Sequence, residues 1–224
     1  MMNNNVKRII EISNAHGWVL ETDSKKLLSE YDLPVTTYGF ATNYDECLNF
    51  VEKNGFPVVC KVVSPDIVHK SDVGGVVVGI DNNEELLRTF EKFKQLKGFQ
   101  GVLIEKMVSG LELIIGASND EQFGPVVLVG LGGVSVEIYK DTSMGMAPLS
   151  DSDIDEMLHS LKCYKLLEGY RGSKGINIKK LKEVLLKFSY MVMDLKDYFE
   201  SIDLNPVICN ENQCIIADAR IILR

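Results

Sequence analysis

The sequence predicts an α+β protein built as two lobes, and three observations lead there. Short β-branched runs such as "PVVCKVV", "GGVVVGI" and "GPVVLVGLGG" are bounded by glycine, proline, asparagine and aspartate, the composition of strands between turns. Longer stretches place apolar residues at helical spacing, as in "NNEELLRTFEKFKQL" and "IKKLKEVLLKFSYMVMDL". The two kinds of segment do not alternate regularly, which favours α+β lobes over repeated βαβ units. At 224 residues, 46% of them hydrophobic, the chain suits one large domain or two small lobes and is long enough to bury a core.

Taken in order, Val6 to His16 reads as an amphipathic helix stopped by Gly17. Ser24 reads as the N-cap of a second helix, Lys25 to Tyr31. "DLPVTTYGFA" gives a short strand after a proline turn, and Asn43 or Asp45 opens a helix through Lys53 that ends at Asn54-Gly55. "PVVCKVV" and "GGVVVGI" form a strand pair, and in the next helix Leu86, Leu87, Phe90 and Phe93 share a face. A β-rich block follows in "GVLIEKMV", "LELIIGASND" and "GPVVLVGLGG", with "SVEIY" as a further edge. Two helices come next, "SDSDIDEMLHSL" and "IKKLKEVLLKFSYMVMDL", before "SIDLNPVIC" and "CIIADARIIL" close the chain as a β-hairpin around "NENQ". The expected division is an N-terminal helical extension over 1–22, a first lobe over 23–104 and a second over 105–224, with the seam near Glu105 and a ligand between lobes.

A net charge of −8 makes a generic nucleic-acid or anionic-membrane binder a poor candidate, though a local positive site for ATP remains open. No apolar run reaches the ~20 residues that span a bilayer. The stretch "MMNNNVKRIIEISNAHGW" lacks the apolar region and cleavage site of a signal peptide, so a cytoplasmic protein is expected. Five cysteines without a CxxC pair read as reduced, mostly buried thiols. Cys209 and Cys214 flank a polar turn where they can face each other, but a reducing compartment favours leaving them unlinked.

Several polar residues sit where they are costly without a partner. Lys61 lies inside "PVVCKVV" and must either reach an anion, such as a phosphate, or snorkel to water from an edge strand. Asp203, Asn205 and Asp218 lie on two strands of the predicted hairpin, where oxygens of adjacent strands can grip one Mg²⁺. The competing reading is that Asp and Asn simply end strands and start turns. Glu105 and Glu112, each in an apolar segment, suit hydrogen bonds to a ribose or stand as half-exposed strand glutamates. "GLGGVSVEIYKD" is glycine-rich after a strand and can cradle an anion, but it completes neither the P-loop nor the Rossmann fingerprint. His69 lies with Lys70, Asp72, Gly74 and Gly75 in a polar turn between two apolar runs. An exposed imidazole there is a competent nucleophile toward phosphorus, and the glycines let the loop approach a phosphate closely. His16 and His159 read as solvated surface.

Together "KVVSPDIVHKSDVGGVVVGI", "FGPVVLVGLGGVSVEIYKD", "APLS", "LLEGYRG" and "DLNPV…ADARI" resemble the ATP-grasp β subunit of ADP-forming acyl-CoA synthetases. These are the ADP-forming acetate–CoA ligases, relatives of succinyl-CoA synthetase, and the resemblance runs from about Ser24 to Leu223. It implies an ATP-grasp fold with nucleotide held between two α+β lobes. It also implies the reversible conversion of acyl-CoA, ADP and phosphate to carboxylate, ATP and CoA. In that family an acyl phosphate forms on a partner α subunit that holds the CoA-binding domain, and phosphate reaches the nucleotide on β through histidines. The matching β-subunit histidine is His69.

The resemblance further assigns Lys61 to the nucleotide phosphates and Gly74, Gly75 and Val76 to a phosphate-facing loop. It assigns Glu105, Met107 and Val108 to the adenine-reading hinge and Glu112 to the ribose side. Asn205 and Asp218 become the Mg²⁺ ligands, and Arg220 faces the phosphates. One departure stands out: the family places an arginine shortly before "APL", where this chain has Gly145, and Arg171 in "GYRG" is a partial substitute. The length leaves no room for a CoA-binding domain, so an α2β2 heterotetramer is expected, with β alone binding nucleotide but not completing the reaction. Two rival readings are an ATP-grasp carboxylate–amine ligase, which needs no phosphohistidine, and a non-catalytic nucleotide-binding module.

Overall fold

The computed structural model describes residues 2–133 and 141–224. The predicted edge in "SVEIY" and the middle of the glycine-rich segment lie outside the described residues. In chain order, α1 (Asn4–Ser13), β1 (Trp18–Val19) and α2 (Glu21–Glu30) precede β2 (Tyr38–Ala41), α3 (Tyr44–Asn54), β3 (Val58–Val63), a 3-10 turn (Ser71–Val73), β4 (Val76–Ile80), α4 (Asn83–Lys94) and β5 (Gly101–Lys106). There follow β6 (Leu111–Asp120), β7 (Gly124–Leu131), β8 (Thr142–Met146), α5 (Asp151–Ser160), α6 (Tyr164–Glu168), α7 (Ile178–Leu195), β9 (Phe199–Cys209), β10 (Cys214–Ile216) and β11 (Arg220–Leu223). This is the mixed α+β order that the sequence predicts.

The chain forms two compact units, Met1–Val35 with Ser109–Arg224, and Thr36–Val108. The sequence-derived boundaries at 22/23 and 104/105 differ from these. The N-terminal segment belongs with the C-terminal strands because β1 pairs with β11, Trp18 opposite Ile222, and Val35 bridges Ile216.

The smaller unit is a four-stranded antiparallel sheet, β2-β5-β3-β4, backed by α3 and α4. Local signals set both helices. The side chains of Asn43 and Asn82 cap them by accepting the Glu46 and Glu85 N–H groups at 3.0 and 2.9 Å, and Gly55 ends α3 at φ 76°. Leu86, Phe90 and Phe93 are buried as their spacing requires, whereas Leu87 lies off that face and is 41% exposed. The larger unit is a sheet in the order β1-β11-β9-β6-β7-β8, with β10 also on β9. One face packs Leu113, Ile115, Val127, Val129, Ile202 and Leu204 against α5 and α7.

Some local expectations shift. The first helix spans Asn4–Ser13 under an Asn3 cap, and α2 begins at Glu21, so Ser24 lies inside it. The Ser24 hydroxyl donates to the Val19 carbonyl at 3.3 Å instead of capping. α7 covers the predicted "IKKLKEVLLKFSYMVMDL" in full. The expectation of five reduced thiols is corrected at one pair: the hairpin sets Cys209 directly opposite Cys214, and the two are disulfide-bonded. Cys47, Cys60 and Cys163 are free and buried.

A single carboxylate just before β8 fastens the chain to the turn before α6. Asp141 accepts the Lys162 and Cys163 N–H groups at 2.9 and 2.7 Å. Burial opposes its ionisation, but those bonds prevail and hold its pKa below the ordinary value. A depressed carboxylate contributes stability above the unfolded pKa of about 4, and that stability is lost as pH falls through the folded value. Asp141→Asn is therefore expected to cost roughly 1–3 kcal/mol at pH 7. In urea unfolding, the gap to wild type should close in acid below about pH 4.

Candidate nucleotide and metal site

In the smaller unit, side chains alternate along each strand. Cys60, Val62 and Ile104 face the helices, so Lys61 and Glu105 face the other way. Lys61 pairs with Leu103 and Val59 with Glu105, which makes Lys61 and Glu105 diagonal neighbours on one face. Lys61 Nζ lies 3.0 Å from Glu105 Oε2, with both residues buried. The buried Thr36 hydroxyl donates to the other carboxylate oxygen, Glu105 Oε1. Two of the residues expected to touch a nucleotide thus lie against each other, and Thr36, which nothing in the sequence marks, joins them. Of the two readings of Lys61, the anion-paired one holds, with an internal partner.

The loop from Ser64 to Gly75 carries His69. Its start is tied by the Ser64 hydroxyl to the Lys97 carbonyl at 2.8 Å. Its end is tied by Gly75, whose N–H donates to the Lys70 carbonyl at 2.7 Å and whose carbonyl accepts the Val62 N–H at 2.8 Å. A Cβ on Gly75 would sit 2.6 Å from Val62 Cγ1, so this closure needs glycine. Gly74 adopts φ 64°, and its carbonyl accepts from Lys92 Nζ at 2.9 Å. Between these anchors His69 is exposed, as expected. Val76 opens β4 opposite Lys61. Met107, exposed, and Val108 end the unit after β5.

In the larger unit, β9 organises the other candidates. Asp203 lies opposite Arg220 on β11, and Ile216 lies opposite Val207 on β10. The Ala217 N–H donates to the Pro206 carbonyl at 3.0 Å, so the same register continues and brings Asn205 opposite Asp218. Directly opposed residues share a face with Cβ atoms about 5 Å apart. Against β6, the register of β9 shifts between Leu113 and Ile115, which leaves Asn205 and Pro206 in a bulge. A bulge re-aims side chains and accommodates a proline without N–H. Burial pushes the Asp203 pKa up, and Arg220 pulls against it. Glu112, exposed on β6, accepts the Gly132 N–H on its carbonyl at 2.7 Å. A Cβ on Gly133 would lie 3.0 Å from Glu112 Oε2, so this carboxylate sits over the start of the glycine-rich turn.

Asn205 and Asp218 offer one amide and one carboxylate oxygen, hard donors that suit Mg²⁺. Among the described residues no group of three or more His, Cys, Asp or Glu could hold an ion by itself. The donor set fits an ion that takes its remaining ligands from phosphate and water.

Gly145 fits its surroundings. A Cβ there would lie 2.7 Å from Met157 Sδ and 2.8 Å from Leu149 Cδ2, beside a cavity of about 510 Å³ lined also by Met144, Met146 and Glu156. An arginine at this position would be directed at α5, away from the side of β8 on which Met144 and Met146 are exposed. Arg171 is exposed, 5.3 Å from the Tyr170 ring centre. His16 and His159 are exposed, as expected, with the His159 ring stacked on Tyr164.

A family model of the ATP-grasp domain matches residues 12–223, and the chain belongs to that family. Within it, the chain is 40% identical to the β subunit of the ADP-forming acetate–CoA ligase I of Pyrococcus furiosus, over 97% of each chain. It is also 40% identical, over 97% of its length, to the ADP-forming acetate–CoA ligase I of Archaeoglobus fulgidus, of which the match covers 33%. A solved acetyl-coenzyme A synthetase 1 of Ca. Korarchaeum cryptofilum, in complex with coenzyme A and Mg-AMPPCP, matches with a TM-score of 0.86 at 38% identity, covering 98% of this chain and 100% of that one. In that structure the phosphohistidine segment points towards the nucleotide binding site. These relatives bear out the resemblance read from the sequence.

The Lys61–Glu105 pair has a measurable signature. Removing one partner strands a buried charge and is expected to cost about 3–5 kcal/mol, whereas removing both is close to neutral. Lys61→Met should thus lower the urea midpoint strongly, and adding Glu105→Gln should recover most of the loss.

Proposed function

We propose that the chain is the nucleotide-binding β subunit of an ADP-forming acetate–CoA ligase, interconverting acyl-CoA, ADP and phosphate with carboxylate, ATP and CoA. The observation that carries this reading is the end-to-end match, 97% of both chains, to a separate β subunit of that activity. The match to one third of the Archaeoglobus fulgidus protein supports a partner that supplies what this chain does not. That partner is an α subunit carrying the CoA-binding domain, in a cytoplasmic α2β2 heterotetramer. No helix among the described residues is long and apolar enough to cross a membrane.

Lys61 contacts the nucleotide phosphates, with Gly74, Gly75 and Val76 on the phosphate-facing loop and Arg220 facing the same groups. Glu105, Met107 and Val108 read the adenine, and Glu112 lies on the ribose side. Asn205 and Asp218 hold Mg²⁺, whose charge, when bound, offsets that of the phosphates. Arrival of a phosphate gives the Lys61 ammonium a second anion beside Glu105, at a site already closed to water. His69 is the phosphoryl carrier, supported by its exposure between two glycine- and serine-anchored loop ends. A ring nitrogen of His69 attacks the γ-phosphorus of ATP, the N–P bond forms as the bridging P–O bond breaks, and ADP departs. In the synthetic direction the β-phosphate oxygen of ADP attacks phospho-His69, and the N–P bond breaks.

Incubation with γ-labelled Mg-ATP, with and without the α subunit, tests this. Acid-labile label is expected on the wild type and not on His69→Ala. No label on the wild type, with ATP binding intact, would overturn the carrier role and leave a carboxylate–amine ligase or a nucleotide-binding module. By titration calorimetry, Lys61→Ala is expected to weaken Mg-ATP binding at least tenfold, about 1.4 kcal/mol.

A further inference from the structure

One buried cation in the larger unit has no part in the function described so far. Lys25, on α2, is fully buried at 0% exposure. A buried ammonium costs several kcal/mol unless anions or carbonyls meet it. Glu21, one turn earlier and 2% exposed, places Oε1 4.0 Å away. Lys25 Nζ donates to the carbonyl of Ala217 at 3.0 Å. Ala217 is the residue before Asp218, in the three-residue connection between Ile216 at the end of β10 and Arg220 at the start of β11.

The same short stretch is held on its other side. The Ala217 N–H donates to the Pro206 carbonyl, next to Asn205, and the Ile216 N–H donates to the Pro34 carbonyl at 2.8 Å. The peptides on both sides of Ala217 are thus fixed, one toward the β9 bulge and one toward α2. Ala217 to Ala219 lie between β10 and β11 and belong to neither strand. These bonds therefore help to set the direction in which the Asp218 carboxylate leaves the chain. A charge-assisted bond to a carbonyl is about twice as strong as a neutral one, which makes Lys25 the stiffest of these tethers.

We propose that Lys25, with Glu21 as its counter-ion, is a positioning residue for the Asn205–Asp218 metal site, fixing the Ala217 carbonyl so that the Asp218 carboxylate stays opposite Asn205. This rests on the assignment of Asp218 as an Mg²⁺ ligand. It explains why α2 keeps a lysine at a position where an apolar residue would fill the space at lower cost.

The test replaces both charges, because a lone Lys25 substitution would take a nearby cation from the buried Glu21. The variants are Glu21→Gln with Lys25→Met, and Glu21→Gln with Lys25→Gln, which keeps a neutral donor. For each, the purified full chain is titrated with ADP, with saturating Mg²⁺ and without any, beside Asp218→Asn. The expected result is cooperative unfolding near the wild-type temperature and unchanged Mg²⁺-free ADP affinity. The enhancement of ADP binding by Mg²⁺ should fall about five- to tenfold for the methionine variant, equivalent to about 1–1.4 kcal/mol, and less for the glutamine variant. Folded variants with wild-type Mg²⁺ enhancement, beside an Asp218→Asn chain that has lost it, overturn the proposal alone. Retained enhancement in Asp218→Asn overturns the metal assignment and the proposal together. If neither double variant unfolds cooperatively, the pair serves the fold rather than the metal site, and the proposal also falls.

Discussion

The larger unit depends on the register of one strand. β9 pairs with β6 on one side and with both β10 and β11 on the other. Its register sets Cys209 against Cys214, Asp203 against Arg220, and Asn205 against Asp218. A slip of one residue would turn Ile202 and Leu204 out of the core and carry Asp203 into it. The hydrophobic face therefore guards the polar one: burial of the aliphatic residues and alignment of the candidate metal ligands are the same event. The bulge at Asn205–Pro206 is a local exception, where β9 departs from β6 without losing its pairing with β10.

The smaller unit is governed by charge rather than register. Its sheet places Lys61 and Glu105 on the face away from α3 and α4, where each would be costly alone. Their mutual contact and the Thr36 hydroxyl make that burial tolerable. The two opposite charges are thus held together away from water. The His69 loop has the opposite character. Hydrogen bonds and a glycine too crowded for a side chain fix its ends, and its middle is left to solvent.

Much of this was legible in the sequence, because local signals agreed with the fold. Asn43 and Asn82 are caps, α7 follows its apolar spacing over its full length, and "PVVCKVV" does pair with "GGVVVGI". Leu87 failed because four apolar residues at close spacing occupy a wider arc than one buried face. Ser24 looked like a cap, but the helix runs past it under tertiary contacts. Lys61, Glu105, Glu112 and Asp218 stand out in the sequence as costly polar residues in apolar runs, whereas Gly74, Gly75, Val76, Met107, Val108 and Arg220 became candidates only through the family resemblance. Thr36 was invisible, since a threonine before a strand is ordinary, and its partner lies far along the chain. Lys25 was hidden similarly: on a helix with Glu21, Asp23 and Lys26 it reads as part of a solvated face, and only packing reveals its burial. The unit boundary was missed because it depends on β1 meeting β11, a pairing of short strands more than two hundred residues apart.

That pairing has a consequence for how the protein is made. The chain leaves the larger unit at Val35 and re-enters it at Ser109, so the smaller unit is an insertion within a discontinuous one. On the ribosome, Thr36–Val108 has all of its own strands together early and can collapse as a continuous segment. β1 must wait, its edge unpaired, until the residues up to Ile222 have emerged. Such long-range closure is slow and leaves apolar surface exposed in the meantime. Val6, Ile10 and Leu27, buried in the finished core, are the surface that a chaperone would meet during that interval.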